Sequence, residues 1–188
     1  MARVDDDVRA RYIERLAPYI GAKILEVGAG TGEVAEAICE QFSPELYLAL
    51  EVRDRLAPHL RSQLPDPMYY VITTSRDARY NPTGTDRHLP DGHYDLIHAK
   101  SWATHVPTAE LHAWFRMFVD RTEPGAHVAL TLFVGEHADH DTLHTFHSGL
   151  DAIYDFELVE FEHGDWHYDD PPEAPGWESH DFAVWRRV

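Results

Sequence analysis

The chain has 188 residues, of which 44% are hydrophobic and 26% charged, a composition that is ordinary for a soluble globular domain. Its 33 acidic and 16 basic residues give a formal net charge of −17, which argues against a nucleic-acid partner because it repels phosphate backbones. No apolar run approaches the ~20 residues of a membrane span, and the N-terminal MARVDDDVRARYIERL lacks the apolar core of a secretory signal. We therefore expect one cytoplasmic domain over residues 1–188, with an N-terminal helix in 1–20 and the core in 21–188.

The predicted elements begin with an amphipathic helix over residues 5–20, where Val8, Tyr12, Ile13, Leu16 and Ile20 recur at helical spacing. Short apolar runs then alternate with helical stretches, which specifies a parallel sheet with helices on both faces. The predicted strands are 23–27, 46–51, 68–73, 94–98 and 126–133, and the predicted helices are 33–42, 55–63 and 109–121. Two final strands, 156–162 and 180–187, have no helix between them and should pair antiparallel.

A glycine-rich turn follows the first predicted strand in KILEVGAGTGE, with Gly28, Gly30 and Gly32 on alternate positions. A strand, a glycine turn and a helix place backbone N–H groups and a helix N-terminus beside a ligand above the sheet. Dinucleotide binding predicts G-x-G-x-x-G, whereas the sixth position here is Glu33, whose carboxylate is unfavourable near a pyrophosphate. The pattern favours a ligand without phosphates.

Two acids follow the next two predicted strands. Glu51 ends the second strand, where an acid reaches ribose hydroxyls across the sheet. Asp77 follows the third strand in TTSRDARY, where it could accept a hydrogen bond from an adenine amino group. An adenosine without phosphate indicates S-adenosylmethionine (SAM).

Five segments together resemble the class I SAM-dependent methyltransferases, from about residue 20 to the C-terminus. ILEVGAGTGE is similar to their first motif, LALE to the second strand with its ribose-binding acid, and SRDA to the adenine-binding turn. YDLIHAKSWATHVP and PGAHVALTLF resemble the fourth-strand and fifth-strand segments. The resemblance implies a doubly wound sheet of seven strands, mostly parallel with an antiparallel last strand and helices on both faces. It implies SAM as the cofactor and methyl transfer to a small-molecule or exposed protein acceptor.

The resemblance also implies which residues bind the cofactor. Glu51 is expected to bind both ribose hydroxyls, Asp77 and the Ala78 backbone to contact adenine, and the backbone near Ala99 to meet the cofactor's amino group. The residues implied for the methionine and ribose part are Glu26, Gly28, Ala29, Gly30 and Gly32.

Two residues after the fourth predicted strand are candidates for contacts with the acceptor. His105, in ATHVP, has two interpretations: a general base facing the acceptor, or a histidine that braces the loop. Lys100, one of only two lysines, either steers an acidic acceptor or holds a surface ion pair.

A histidine-rich segment follows the fifth predicted strand in EHADHDTLHTFHSG. On a continuous helix His137, His140, His144 and His147 would share an arc of about 80°. The array could bind a transition metal, line the acceptor pocket through His140 and His144, or form an exposed helix flank. We predict that no metal binds.

The short N-terminal segment leaves no room for a separate lid, so the acceptor pocket should be shallow, or completed by another subunit or a partner. Two alternatives to methyl transfer stay open on the same fold. One is an enzyme that cleaves or cyclises SAM. The other is a non-catalytic SAM-binding module, against which the glycine turn, Glu51 and Asp77 argue, since a scaffold needs none of them.

The acidic composition has two explanations, adaptation to high salt and the base composition of the genome. If it is an adaptation to salt, the thermal midpoint of unfolding should rise markedly from low to molar salt, because salt screens repulsion between carboxylates. A midpoint that stays flat in thermal melts over that range would leave genome composition as the explanation.

Overall fold

The computed structural model describes residues 6–51, 55–64, 69–72, 92–103, 106, 108–134, 143–144, 155–164 and 181–188. Its helices are α1 (Asp6–Leu16), α2 (Glu33–Phe42), α3 (Ala57–Gln63) and α4 (Thr108–Val119), with a 3-10 helix at Ala17–Tyr19. Its strands are β1 (Lys23–Val27), β2 (Leu46–Leu50), β3 (Tyr69–Ile72), β4 (Leu96–Ala99), β5 (His127–Val134), β6 (Leu143–His144), β7 (Phe156–Glu162) and β8 (Asp181–Arg187). None of these helices has the length and apolarity that a membrane crossing requires.

The strands form one sheet in the order β3-β2-β1-β4-β5-β8-β7, and β6 pairs with the end of β5. Strands β1 to β5 are parallel to one another, whereas β8 is antiparallel to both β5 and β7. This arrangement confirms the mostly parallel sheet with an antiparallel last strand. The predicted count of seven strands is not confirmed, because the two-residue β6 gives the described sheet eight strands.

The sheet is covered on both faces because its strands are apolar on both sides, as a buried parallel sheet requires. Alternate residues of β1 illustrate this: Ile24 packs with α1, α2 and α3, and Leu25 packs with α4. Ile24 belongs to a buried apolar cluster on one face, whose helix residues include Tyr12, Leu16, Ala35, Ile38 and Leu60. Leu25 belongs to the cluster on the other face, whose helix residues include Leu111, Trp114, Phe115 and Phe118. Helices on both faces are therefore confirmed.

Phe115 of α4 lies at the centre of an aromatic cluster that joins the helix to the antiparallel end of the sheet. Its ring centroid is 5.6 Å from that of Phe118, 5.8 Å from that of Phe156 on β7 and 5.2 Å from that of Trp185 on β8. All four side chains are buried. The edge-to-face geometry is the favoured one for aromatic pairs and adds to the stabilisation from burial.

Element boundaries agree with the sequence prediction where a turn signal lies beside an apolar run. The predicted bounds of β1, α2 and β7 match the structure. Helix α1 instead ends at Leu16 and continues as the 3-10 helix, since Pro18 has no N–H to extend the α-helical hydrogen bonds. Strand β4 begins two residues later than predicted, because the Tyr94 N–H donates to the Arg121 carbonyl (2.9 Å) outside the ladder.

The histidine-rich segment is not one continuous helix. Leu143 and His144 form β6, which pairs in parallel with Phe133 and Val134 of β5. The helical arc proposed for the four histidines is therefore wrong at His144. The other three histidines lie outside the described residues.

The connectivity places a crevice at the carboxyl ends of β1 and β4. The chain moves outward from β1 to β2 and β3, then returns to add β4 on the other side of β1. Open α/β sheets bind ligands at such a switch point. The glycine turn after β1 lies there.

Replacing Phe115 by alanine should reduce the free energy of unfolding by about 3–5 kcal/mol, because it removes a ring from the buried cluster and leaves a cavity. Val159→Ala is the matched control, since Val159 on β7 is 40% exposed and its truncation should change stability by about 0.5 kcal/mol or less. Chemical denaturation of both variants measures the difference. Equal losses for the two would contradict the packing described.

Candidate cofactor site

The turn after β1 is fixed to the end of β2 by two backbone hydrogen bonds. The N–H groups of Gly28 and Ala29 both donate to the Leu50 carbonyl oxygen, at 2.9 and 3.0 Å. Gly28 has φ 76°, and a Cβ at this position would lie 3.1 Å from the Trp102 Cβ. The left-handed conformation and the close approach of Trp102 both require glycine here.

Helix α2 begins directly from the same turn. Gly32, with φ 86°, caps the helix, and its N–H donates to the Ala29 carbonyl (2.9 Å). Its own carbonyl then accepts the Glu36 N–H at 2.8 Å as the helical ladder starts. The turn therefore carries the N-terminus of α2, with its unpaired N–H groups, to the carboxyl edge of the sheet.

Glu51 follows the last residue of β2 and is tied to the glycine turn. Its Oε2 accepts the Gly30 N–H at 2.7 Å, and the residue is only 2% exposed. A backbone N–H donating to a carboxylate is a charge-assisted hydrogen bond, so it orients the side chain firmly. The structure thus brings Glu51 together with the predicted residues of the glycine turn, Gly28, Ala29, Gly30 and Gly32.

The segment after β4 forms the opposite side of the crevice. Ala99 is the buried last residue of β4, and Ser101 adopts a left-handed φ of 59°, uncommon for a residue with a side chain. The Ser101 N–H donates to Thr131 Oγ1 of β5 at 2.6 Å, which holds this conformation. The backbone bend places Lys100 and Trp102 on either side of Ser101, and Trp102 reaches the glycine turn.

A buried polar network lies directly below the glycine turn, on the α1 face of the sheet. We define the Glu26 network as Glu26 of β1, Tyr47 of β2, His98 of β4 and Tyr12 of α1, none more than 2% exposed. The Tyr47 hydroxyl donates to Glu26 Oε2 at 2.8 Å and lies 3.0 Å from His98 Nε2. The Tyr12 hydroxyl lies 3.4 Å from His98 Nδ1.

Burial shifts the pKa of all four members of the Glu26 network, and raises those of Tyr12 and Tyr47 well above 10. Burial raises the pKa of Glu26 from 4.5 to about 7, with Tyr47 and the Lys100 charge acting against the rise and Glu51 adding to it. Burial lowers the pKa of His98 to about 3, so this imidazole is neutral. A raised folded-state pKa means that the stabilising contribution of Glu26 is fully present below pH 4.5 and is lost as the pH rises through about 7.

The other residues predicted for the site are not all within the described residues. Asp77, Ala78, His105 and His140 lie outside them, and of His144 only the backbone is described. Among the described residues no group of three His, Cys, Asp or Glu side chains is placed to hold a metal ion. The single cysteine, Cys39, is buried and free.

Sequence reasoning missed four residues of this region: Tyr47, His98, Ser101 and Thr131. For Tyr47 and His98 a signal was present, since each places a polar group inside an otherwise apolar strand, in LYLAL and LIHA. A buried polar group needs a hydrogen-bond partner, so two of them on the strands that flank β1, namely β2 and β4, should have been paired across Glu26. Ser101 and Thr131 gave no comparable signal.

Comparison with known proteins identifies the family. A family model described as a methyltransferase domain matches residues 3–179. No curated protein sequence matches the chain.

Among solved structures, the CcbJ methyltransferase from Streptomyces caelestis aligns with TM-score 0.68 and 16% identity, covering 98% of this chain and 90% of that one. The SAM-bound amino pentose methyltransferase of calicheamicin biosynthesis from Micromonospora echinaspora gives TM-score 0.66 and 15% identity, covering 97% and 91%. The N-methyltransferase NodS from Bradyrhizobium japonicum, in complex with S-adenosylhomocysteine, gives 0.65 and 13%, covering 98% and 89%. At these identities the structural likeness shows a shared fold, and the family model, which spans nearly the whole chain, shows that this protein belongs to the methyltransferase domain family.

Proposed function

We propose that this chain is a SAM-dependent methyltransferase that transfers a methyl group to a small-molecule acceptor, with an exposed protein group as the other acceptor class. The proposal treats residues 1–188 as one catalytic domain, in keeping with a family match over 3–179. The observation that carries it is the pairing of Glu51 with Gly30 at the switch point of the sheet.

Glu51 suits a ribose because of where its carboxylate is held. One oxygen, Oε2, is fixed by the Gly30 N–H, which holds the carboxylate beside the glycine turn. A carboxylate has about four lone-pair positions, so hydroxyl groups of a ribose can donate to it while the Gly30 bond persists. Glu51 and the glycine turn thus offer a preformed acceptor and N–H donors next to each other.

The electrostatics of the crevice also suit SAM better than a phosphorylated cofactor. Two acids, Glu26 and Glu51, lie near the carboxyl ends of adjacent strands, and the charge of Glu51 contributes to the raised pKa of Glu26. The Glu51 carboxylate, and that of Glu26 when it is ionised, disfavour a pyrophosphate and favour the sulfonium and ammonium groups of SAM. The charge of Lys100 acts on Glu26 in the opposite direction and lowers its pKa.

The acceptor side of the site is argued from the segment after β4 and from the neighbours. A small-molecule acceptor is supported by the structural relatives, which include an amino pentose methyltransferase and an N-methyltransferase. Lys100 lies at the start of this segment, where it can steer an acidic acceptor. Its charge also acts on Glu26, an interaction that differs from both acceptor steering and a surface ion pair. His105 as general base, His140 and His144 as acceptor contacts, and completion of the pocket by a second copy remain predictions.

Replacing Glu51 by alanine should weaken binding of S-adenosylhomocysteine by about 1.5–3 kcal/mol, or roughly 10- to 150-fold in Kd, the range for losing hydrogen bonds to a charged group. Isothermal titration calorimetry measures this, with NAD as the ligand that should not bind. Glu40→Ala is the matched control, since Glu40 is an exposed acid on α2 and its removal should leave the affinity unchanged.

Two results would contradict the proposal. One is unchanged affinity for S-adenosylhomocysteine in Glu51→Ala, and the other is a preference of the native protein for NAD. Analysis of the products formed from SAM separates the reactions, because methyl transfer yields S-adenosylhomocysteine and cleavage of SAM yields methylthioadenosine.

A further inference from the structure

An imidazole and a buried carboxylate meet at the carboxyl edge of the sheet, outside the cofactor site. His163 follows the last residue of β7, and Asp181, the first residue of β8, pairs with Leu132 near the carboxyl end of β5. His163 Nδ1 lies 3.2 Å from Asp181 Oδ1, and the same oxygen accepts the Gly164 N–H at 3.1 Å. We call this pair the His163–Asp181 dyad. Because β8 is antiparallel to both β5 and β7, the dyad lies at the same edge of the sheet as the glycine turn.

The imidazole of the dyad is held in place although it is exposed. The side chain of His163 is 76% exposed, whereas that of Asp181 is 5% exposed. The ring of Phe161 on β7 is nearly perpendicular to the imidazole, and the two ring centroids are 4.6 Å apart. A buried carboxylate on one side and an aromatic ring on the other therefore fix the orientation of a ring that solvent can reach.

A surface pair of the same kind shows how the dyad differs from an ordinary ion pair. His93 Nδ1 lies 2.8 Å from Glu123 Oε1, and these side chains are 55% and 66% exposed. Such exposed pairs contribute little, because water and salt screen the charges. His93 and Glu123 precede β4 and β5, so they also lie at the opposite edge of the sheet. In the dyad the acid is buried, and its charge acts on the imidazole with less screening.

The dyad presents one hydrogen-bond acceptor in a fixed direction. An ionised carboxylate only accepts hydrogen bonds, so His163 Nδ1 carries the hydrogen that lies between the two groups. In the neutral imidazole Nε2 is then an acceptor, on the side of the ring turned away from Asp181. A buried acid sets the tautomer of a histidine in the same way in catalytic triads and in metal sites.

The spacing of the strands sets how far the dyad lies from the cofactor site. In the sheet order β8 is two strands from β4, so at about 4.8 Å per strand Asp181 is about 10 Å across the sheet from the end of β4. A general base must lie within about 3 Å of the atom whose proton it removes. The dyad is therefore too far from the switch point to deprotonate the methylated atom, but a small molecule that extends along this edge can reach it.

We propose that the His163–Asp181 dyad selects the acceptor: His163 Nε2 accepts a hydrogen bond from a hydroxyl or amino group of the acceptor other than the one that is methylated. Asp181 is the positioning residue that fixes the ring. The inference rests on the proposed function, and it narrows the acceptor to polar small molecules with a second hydrogen-bond donor roughly 10 Å from the methylated atom. A pair that only joined β7 to β8 would not distinguish one acceptor from another.

Bisubstrate analogues test this selection without a known acceptor. In these analogues a tertiary amine replaces the sulfonium of SAM and carries an alkyl chain of varied length that ends in a hydroxyl or a methyl group. For chains long enough to span about 10 Å, the hydroxyl analogue should bind the native protein about two- to tenfold more tightly than its methyl counterpart, the range for one net hydrogen bond. Isothermal titration calorimetry at pH 8, above the usual titration range of histidine, measures the ratio.

Three variants assign the preference to the dyad. His163→Ala should abolish it and leave the affinity for S-adenosylhomocysteine unchanged, because the side chain is exposed and lies away from the cofactor site. His93→Ala is the matched control and should keep the native preference. Asp181→Asn should reduce the preference and let the imidazole populate both tautomers, which the ¹⁵N chemical shifts of the His163 ring report. In the native protein those shifts should place the hydrogen on Nδ1.

The outcomes distinguish this inference from the proposed function. Equal affinities of the hydroxyl and methyl analogues at every chain length would overturn the selection, as would a preference that persists in His163→Ala. A native spectrum with the hydrogen on Nε2 would also overturn it, even if Asp181→Asn failed to fold. Each of these results leaves the methyltransferase proposal intact, whereas failure of S-adenosylhomocysteine and all the analogues to bind would overturn the proposed function itself.

Discussion

The whole site depends on one carbonyl oxygen, that of Leu50, which accepts hydrogen bonds from two backbone N–H groups. By accepting from both Gly28 and Ala29, Leu50 fixes the glycine turn to the end of β2. Glu51, which directly follows the last residue of β2, then accepts a hydrogen bond from the Gly30 N–H. The position of the ribose acceptor relative to the turn is thus set by backbone geometry that only glycine at position 28 permits, with Trp102 packed against it.

Strand register explains how a sheet that is otherwise apolar contains a polar network. The parallel register places Glu26 beside His98 on β4 and beside Ala49 on β2, two residues along from Tyr47. Because these residues point to the α1 face, Tyr12 can complete the chain of hydrogen bonds. A buried acid without partners would be strongly unfavourable. The hydrogen bond from Tyr47 and the charge of Lys100 limit the rise in the pKa of Glu26 that burial causes.

The fold was predictable from the sequence where periodicity and turn chemistry act together. The apolar run KILEV followed by three glycines defines β1 and the start of α2. The lack of a helical pattern in the sequence between the last two strands predicts their antiparallel pairing, which the structure confirms. The end of α1 was overestimated because Ile20 continues the apolar pattern past Pro18, whose effect on the backbone outweighs it. The spacing of the histidines predicted a helix at His144, but in the structure this residue belongs to β6, which pairs with β5.

Half of the candidate site was predictable, and the missing half depends on tertiary contacts. Gly28, Gly30 and Glu51 follow from a local motif and from the position of an acid at a strand end. The bonds between Glu26, Tyr47 and His98 join residues 21 to 51 positions apart, so they follow from strand register rather than from local sequence. Ser101 depends in the same way on Thr131, its partner across the sheet.

The most direct test of the account is a crystal structure of the complex with S-adenosylhomocysteine at neutral pH. We expect both ribose hydroxyls within hydrogen-bonding distance of the Glu51 carboxylate, with the hydrogen bond from the Gly30 N–H to Glu51 retained. A ligand seated elsewhere on the sheet, or one whose ribose contacts a different acid, would contradict it.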